Sequence, residues 1–187
     1  MTITIDEKRL ERVKTLGPGN HKPPRNGGDI AACIMEAAAY VAGEPWSDHP
    51  ECTCPVITAF MVTWNDALPN DAERARLLLP LIPKLIGTQG SKALQARRAT
   101  MAADWYVRVQ TPAWLRLAGL NAEADALADF PEITSFENTP SIMAPLEAAQ
   151  SAASAAWSAA ESALNQTTTD LQTSALALVE RMCALTE

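Results

Sequence analysis

Residues 30–41 read Ile-Ala-Ala-Cys-Ile-Met-Glu-Ala-Ala-Ala-Tyr-Val, and Ala42 and Gly43 follow. Ile30, Cys33, Ile34, Ala37, Ala38 and Val41 recur at helical spacing, so this stretch predicts a helix with one apolar face, starting near Asp29. Gly43 stands where a left-handed C-terminal cap is expected. No segment elsewhere alternates strand formers with a period of two, which makes a sheet unexpected and points to an all-α fold.

Working outward, Ile5 to Leu16 reads as a short charged helix stopped by Gly17-Pro18-Gly19. Residues 17–28 hold four glycines and three prolines and read as a loop. On the other side, residues 44–54 are polar and irregular, and Pro55 suits the first position of a new helix. Val56, Ile57, Phe60, Met61 and Trp64 form that helix's expected stripe. Asn70 with Glu73 resembles a capping box. The helix it opens carries Leu77, Leu78, Leu81, Ile82, Leu85 and Ile86. Pro80 and Pro83 within it predict a kink or two short helices. After the Gly87–Gly90 connector, Ser91 opens a longer helix that Thr111-Pro112 breaks, starting a shorter one through Trp114, Leu115 and Leu117. A short helix is expected near Ala122 to Ala128.

The last 46 residues are rich in Ala, Ser and Thr. Leu146, Gln150, Ala153, Trp157, Ala160 and Leu164 form a seam spaced 4-3-4-3-4, continued in phase by Leu171, Leu178, Met182 and Leu185. One unbroken helix over this span is about 60 Å long, against about 40 Å for a domain of this size. A break at Asn165–Asp170, where Thr167, Thr168 and Thr169 lower helix propensity, gives a hairpin. The alternative is a projecting helix that pairs with a second chain. The expected architecture is thus a multi-helix, orthogonal or bundle-like body over residues 1–140 with seven or eight helices in the whole chain. An Ala-rich hairpin or coiled-coil-like segment, 141–187, packs on the body or on a partner.

Composition narrows the function classes. Hydrophobic residues make up 48% of the 187, which excludes a disordered chain, and no apolar run approaches the length of a membrane span. The charged amino-terminus lacks the apolar core of a secretory signal. These features predict a cytoplasmic protein with no membrane association. The net charge is −7, and residues 118–187 carry Arg181 alone against ten carboxylates. Nucleic acid is therefore not the expected partner. The basic groups Lys8, Arg9, Arg12, Lys14 and Lys92, Arg97, Arg98, Arg108 read as solvated helix faces. The five tryptophans read as core anchors.

Chemistry-bearing residues concentrate between Gly27 and Pro55. On an ideal helix Asp29, Cys33, Glu36 and Tyr40 fall within about 60° of one another and form a polar-tipped strip. Glu44, Asp48, His49, Glu51, Cys52 and Cys54 follow, and His21 precedes. His49, Cys52 and Cys54, with Cys33 or His21, supply the four N/S ligands of a structural zinc site, although Cys-x-Cys is tighter than the usual Cys-x2-Cys. A second reading makes Cys52 or Cys54 a nucleophile with His49 as base. A third sets Asp29, Glu36, Tyr40 and Asp48 together as a polar site, with Glu36 and His49 in acid–base work.

The stretches Cys-Ile-Met-Glu-Ala-Ala-Ala-Tyr-Val-Ala-Gly-Glu-Pro, Ser-Asp-His-Pro-Glu-Cys and Pro-Val-Ile resemble a family of uncharacterised proteins of bacteria, prophages and phages. Trp-Asn-Asp and Leu-Ile-Pro-Lys-Leu-Ile-Gly-Thr add to the likeness. The resemblance implies a bacterial or mobile-element setting and brings no catalytic residues with it. The expected function is that of a non-enzymatic binding or regulatory protein acting through contacts with a protein partner, with a homo-oligomer through 146–185 as one form of contact. The alternative is a small metalloprotein or hydrolase-like enzyme built around Cys33, Glu36, His49, Cys52 and Cys54.

Overall fold

The computed structural model describes residues 4–24, 30–137 and 164–186. Every regular element among them is helical. The order is α1 (Glu7–Arg12), α2 (Ile34–Ala42), α3 (Pro55–Ala67), α4 (Asp71–Leu78), a 3-10 turn (Leu79–Leu81), α5 (Ile82–Leu85), α6 (Lys92–Trp105), a π turn (Tyr106–Gln110), α7 (Thr111–Leu117), α8 (Asn121–Ala128) and α9 (Leu164–Ala184). No helix among the described residues is long and apolar enough to cross a membrane. The chain forms two compact units, Met1–Gln95 with Glu180–Glu187, and Ala96–Val179.

The first unit is built around α2. Ile34, Met35, Ala37, Ala38, Ala39 and Val41 are all buried, as is Glu36. The expected single apolar face is therefore a helix buried nearly all round, as befits a central element. Its run of three alanines leaves room for α1, α3 and α5, all of which pack on it. Gly43 ends it in the left-handed region at φ 78°, as its position predicts.

The start of α2 differs from expectation. Cys33, not Asp29, is the N-cap, and residues 30–32 are not helical. The Cys33 thiol accepts the Glu36 N–H, and the Glu36 carboxylate accepts the Cys33 N–H. This is a capping box with sulfur in place of a hydroxyl, and it fixes Ile34 as the first helical residue. The strip that joined Asp29 to Cys33, Glu36 and Tyr40 assumed a helix through residue 29. Asp29 lies outside the described residues, and Cys33 is a cap and not a helical position.

α1 is also shorter than the expected Ile5–Leu16. Val13 turns to extended backbone at φ −81°, ψ 100°. Val13 and Leu16 are buried there, so burial of two apolar side chains outweighs the weak helix preference of Val13 and Thr15. Two arginines tie α1 to α2. Arg9 donates to the Tyr40 carbonyl at 2.8 Å and stacks over the Tyr40 ring, and Arg12 donates to the Tyr40 hydroxyl at 2.8 Å. The Tyr40 carbonyl belongs to the last turn of α2, where cations and donors are favoured.

Pro55 opens α3 as predicted. Its buried edge is Ile57, Thr58, Met61 and Asn65, while Phe60 and Trp64 lie half-buried on the flank, edge to face at 6.1 Å. Asn70 caps α4 by accepting the Glu73 N–H at 2.9 Å. Pro80 and Pro83 resolve into the 3-10 turn and the short α5, the interruption that their missing donors require.

In the second unit the shorter helix expected from Thr111-Pro112 is α7, Thr111–Leu117, but no gap separates it from α6, because the π turn joins the two. A proline ring clashes with the carbonyl four residues back in a regular helix. The wider turn relieves that clash, and the Thr111 hydroxyl donates to the Tyr106 carbonyl at 2.9 Å. Val107, Leu115, Ala124, Leu127 and Ile133 form the core of this region. Asp104 accepts the Ile133 N–H at 2.9 Å and an Arg108 N–H at 3.2 Å, which pins the chain after α8 back onto α6.

α9 runs without interruption through Asn165–Asp170, where a break was expected. The threonines are accommodated by bonding back along the helix: Thr169 to the Asn165 carbonyl at 2.9 Å and Thr173 to the Thr169 carbonyl at 3.0 Å. Gln166 donates to Asp170 at 2.8 Å across one turn. Of the described seam, Leu185 is half-buried. Leu171, Leu178 and Met182 are buried within the chain, and Ser174 accepts the Trp105 indole N–H at 2.7 Å. The other seam positions, Leu146, Gln150, Ala153, Trp157 and Ala160, lie outside the described residues, as does any hairpin partner for α9. Trp105 is buried as expected of a core anchor, while Trp46, Trp64 and Trp114 are half-buried.

Candidate functional site

The densest cluster of chemistry-bearing groups sits at the amino end of α2. Helix geometry places Glu36 in the first turn, directly above its own N-cap. Its carboxylate, in a residue only 2% exposed, accepts three N–H groups. They are the Cys33 backbone at 2.8 Å, the His21 backbone at 2.7 Å and the His21 ring Nδ1 at 3.0 Å. With Nδ1 donating, the neutral ring carries its lone pair on Nε2.

The loop that delivers His21 is held at several points. Gly17 N–H donates to the Ala32 carbonyl at 2.9 Å. Asn65, fully buried on α3, donates to the Gly17 carbonyl at 3.0 Å and accepts the Ile34 N–H at 3.2 Å. Asp66 accepts the Gly19 N–H at 2.9 Å. Trp46 donates its indole N–H to the His21 carbonyl at 2.9 Å and meets Tyr40 edge-on at 6.4 Å. Loop, helix start and the 44–49 segment are thus one hydrogen-bonded assembly around Glu36.

Gly17 has a steric reason for its identity. A β-carbon there lies 2.7 Å from His21 Nε2 and 3.1 Å from Cε1, so the imidazole rests on bare backbone. We predict that Gly17→Ala displaces the His21 ring and costs about 1–3 kcal/mol, the usual range for overpacking. Thermal unfolding together with the His21 ring resonances checks this, and an unshifted ring at unchanged stability refutes it.

The structure brings His21, Cys33 and Glu36 together, while the other described candidates bond elsewhere and Asp29 lies outside the described residues. His49 points to solvent with a side chain 71% exposed, its Nδ1 2.8 Å from Asp48. That hydrogen bond holds the Asp48 carboxyl below its ordinary range. Cys52 and Cys54 are buried. The Cys52 carbonyl accepts the Gly87 and Gln89 N–H groups at 3.0 and 3.1 Å, and the Cys54 N–H reaches the Thr88 hydroxyl at 3.1 Å. The 52–54 segment is therefore docked on the 87–89 connector. Glu44 accepts the Glu51 N–H at 2.8 Å. Tyr40 is bonded to Arg12 and not to Glu36.

The zinc set of His49, Cys52, Cys54 and Cys33 is not gathered. Its imidazole is outside and its thiols are inside. Among the described residues no three His, Cys, Asp or Glu side chains are grouped to hold a metal ion. The nucleophile reading meets the same arrangement. Burial, and next to it the Glu36 carboxylate, push the Cys33 thiol up to about 12, against the opposing Glu36 N–H. Burial and the charge of Glu44 push Cys52 up to about 11. A thiol in that range is protonated at neutral pH, whereas nucleophiles and ligands are thiolates.

Two measurable consequences follow from these thiols. For Cys33, the rise from 9.0 to about 12 lowers the thiolate fraction at pH 8 about a thousandfold. Native protein treated with a thiol reagent at pH 8 is predicted to react fast at the half-exposed Cys183 and slowly at Cys33, Cys52 and Cys54, all four reacting in denaturant. Fast labelling of Cys33 in native protein refutes this. The sign of the pH dependence is also fixed. A folded-state value above the unfolded one stabilises the fold below about pH 9, and that contribution is lost as pH climbs toward 12. Cys33→Ser keeps the cap and is predicted to flatten the alkaline fall in stability.

Sequence reasoning missed the partnership of His21 with Glu36. The two are 15 residues apart, and no local pattern joins them. The Cys33–Glu36 half carried a signal, since Cys-x-x-Glu before an apolar run is a capping box with sulfur substituted for oxygen. Comparison with protein-family models, curated proteins and solved structures returns no match.

Proposed function

We propose that this chain is a non-enzymatic binding or regulatory protein that acts through protein contacts. The observation that carries the reading is where apolar surface is left outside. Among the described residues the exposed large hydrophobic side chains are Tyr106, Val109 and Phe136, and all three belong to the second unit. Tyr106 and Val109 stand three residues apart on the π turn. Such turns are frequent at functional sites, and tyrosine is enriched at binding surfaces. The Cys33 thiol and the Glu36 carboxylate by contrast take part in the capping box of α2. The bacterial or mobile-element setting rests on the likeness of Gly27 to Pro55, and of Ser174 to Leu185, to a family of uncharacterised bacterial, prophage and phage proteins.

The test is a capture experiment from bacterial host extract with tagged protein, beside a Tyr106→Ser, Val109→Ser double variant of unchanged unfolding temperature. We expect a partner at stoichiometric yield with the native chain and at least a tenfold loss with the variant. Equal recovery by both refutes this surface as the contact. One equivalent of co-purifying zinc by elemental analysis, with unfolding on chelation, supports the metalloprotein reading instead.

A further inference from the structure

We draw no further inference here: the strongest candidate, the exposed Tyr106–Val109 face of the π turn in the second unit, is an apolar surface for which nothing in the structure shows what covers it.

Discussion

Glu36→Ala is expected to lower the unfolding free energy by about 3–5 kcal/mol, the range seen when a buried hydrogen-bond network loses its centre. Three N–H groups converge on this one carboxylate. Alanine leaves the buried Cys33 N–H and the part-buried His21 backbone and ring donors without it, a buried unsatisfied donor costing about 1–3 kcal/mol unless water enters. It also removes one half of the capping box. Glu36→Gln is the informative companion. Its amide oxygen still accepts, but its NH2 group faces a donor, so it recovers only part of the loss. Denaturant unfolding of the two variants measures the costs, and the His21 ring resonances report whether the loop has let go. A Glu36→Ala protein as stable as the native one, with His21 unmoved, eliminates Glu36 as the anchor. Loss confined to His21, with α2 still protected from hydrogen exchange, separates loop anchoring from helix capping.

The helices were legible because their signals are local. Pro55, Asn70 with Glu73, the Pro80 and Pro83 pair and Gly43 each act on their own turn, and each does in the structure what its chemistry dictates. Where the reading failed, something distant or something compensating decided the outcome. Val13 and Leu16 leave the helical path because a core is there to receive them. Thr167–Thr169 do not stop α9, and Thr169 donates its hydroxyl to the Asn165 carbonyl one turn back. Pro112 leaves no gap between α6 and α7 because a π turn joins them.

The candidate site divides along the same line. Its location, around Cys33 and Glu36, was visible in the density of polar groups within an apolar stretch. Its membership was not. Proximity in sequence suggested His49 as the imidazole, but Asp48 turns that ring toward solvent, and the Gly/Pro loop supplies His21 from 15 residues upstream. A loop with four glycines and three prolines has no periodicity from which a side chain's direction can be read. Cys33 and Glu36, which suggested chemistry, close the start of α2, and Glu36 binds the loop through His21.

Arg74→Met is expected to cost about 2–4 kcal/mol, and Arg74→Lys nearly as much. Arg74 is 2% exposed, and its guanidinium does the work of a C-terminal cap for α3. Nε donates to the Asn65 carbonyl and Nη2 to the Leu68 carbonyl, each at 2.8 Å, while Nη1 pairs with Asp71. The last carbonyls of a helix have no partner of their own, and here both lie at a buried corner between α3 and α4. Methionine fills the volume but satisfies neither carbonyl. Lysine is a point charge with no planar fork and does not reproduce the spacing of the Asn65 and Leu68 acceptors. The Asp71 partner contributes little, because its side chain is 68% exposed and such ion pairs are screened. Asp71→Asn is therefore expected to change stability by less than about 1 kcal/mol. Denaturant unfolding of the three variants decides the matter. If Asp71→Asn matches Arg74→Met, the ion pair and not the carbonyl cap holds the corner. If Arg74→Lys is as stable as the native protein, charge suffices and the fork geometry is irrelevant. Because Asn65 is also the residue that grips Gly17 and Ile34, the cap predicts a remote effect as well: Arg74→Met loosens the 17–21 loop and shifts the His21 ring, although the two residues do not touch.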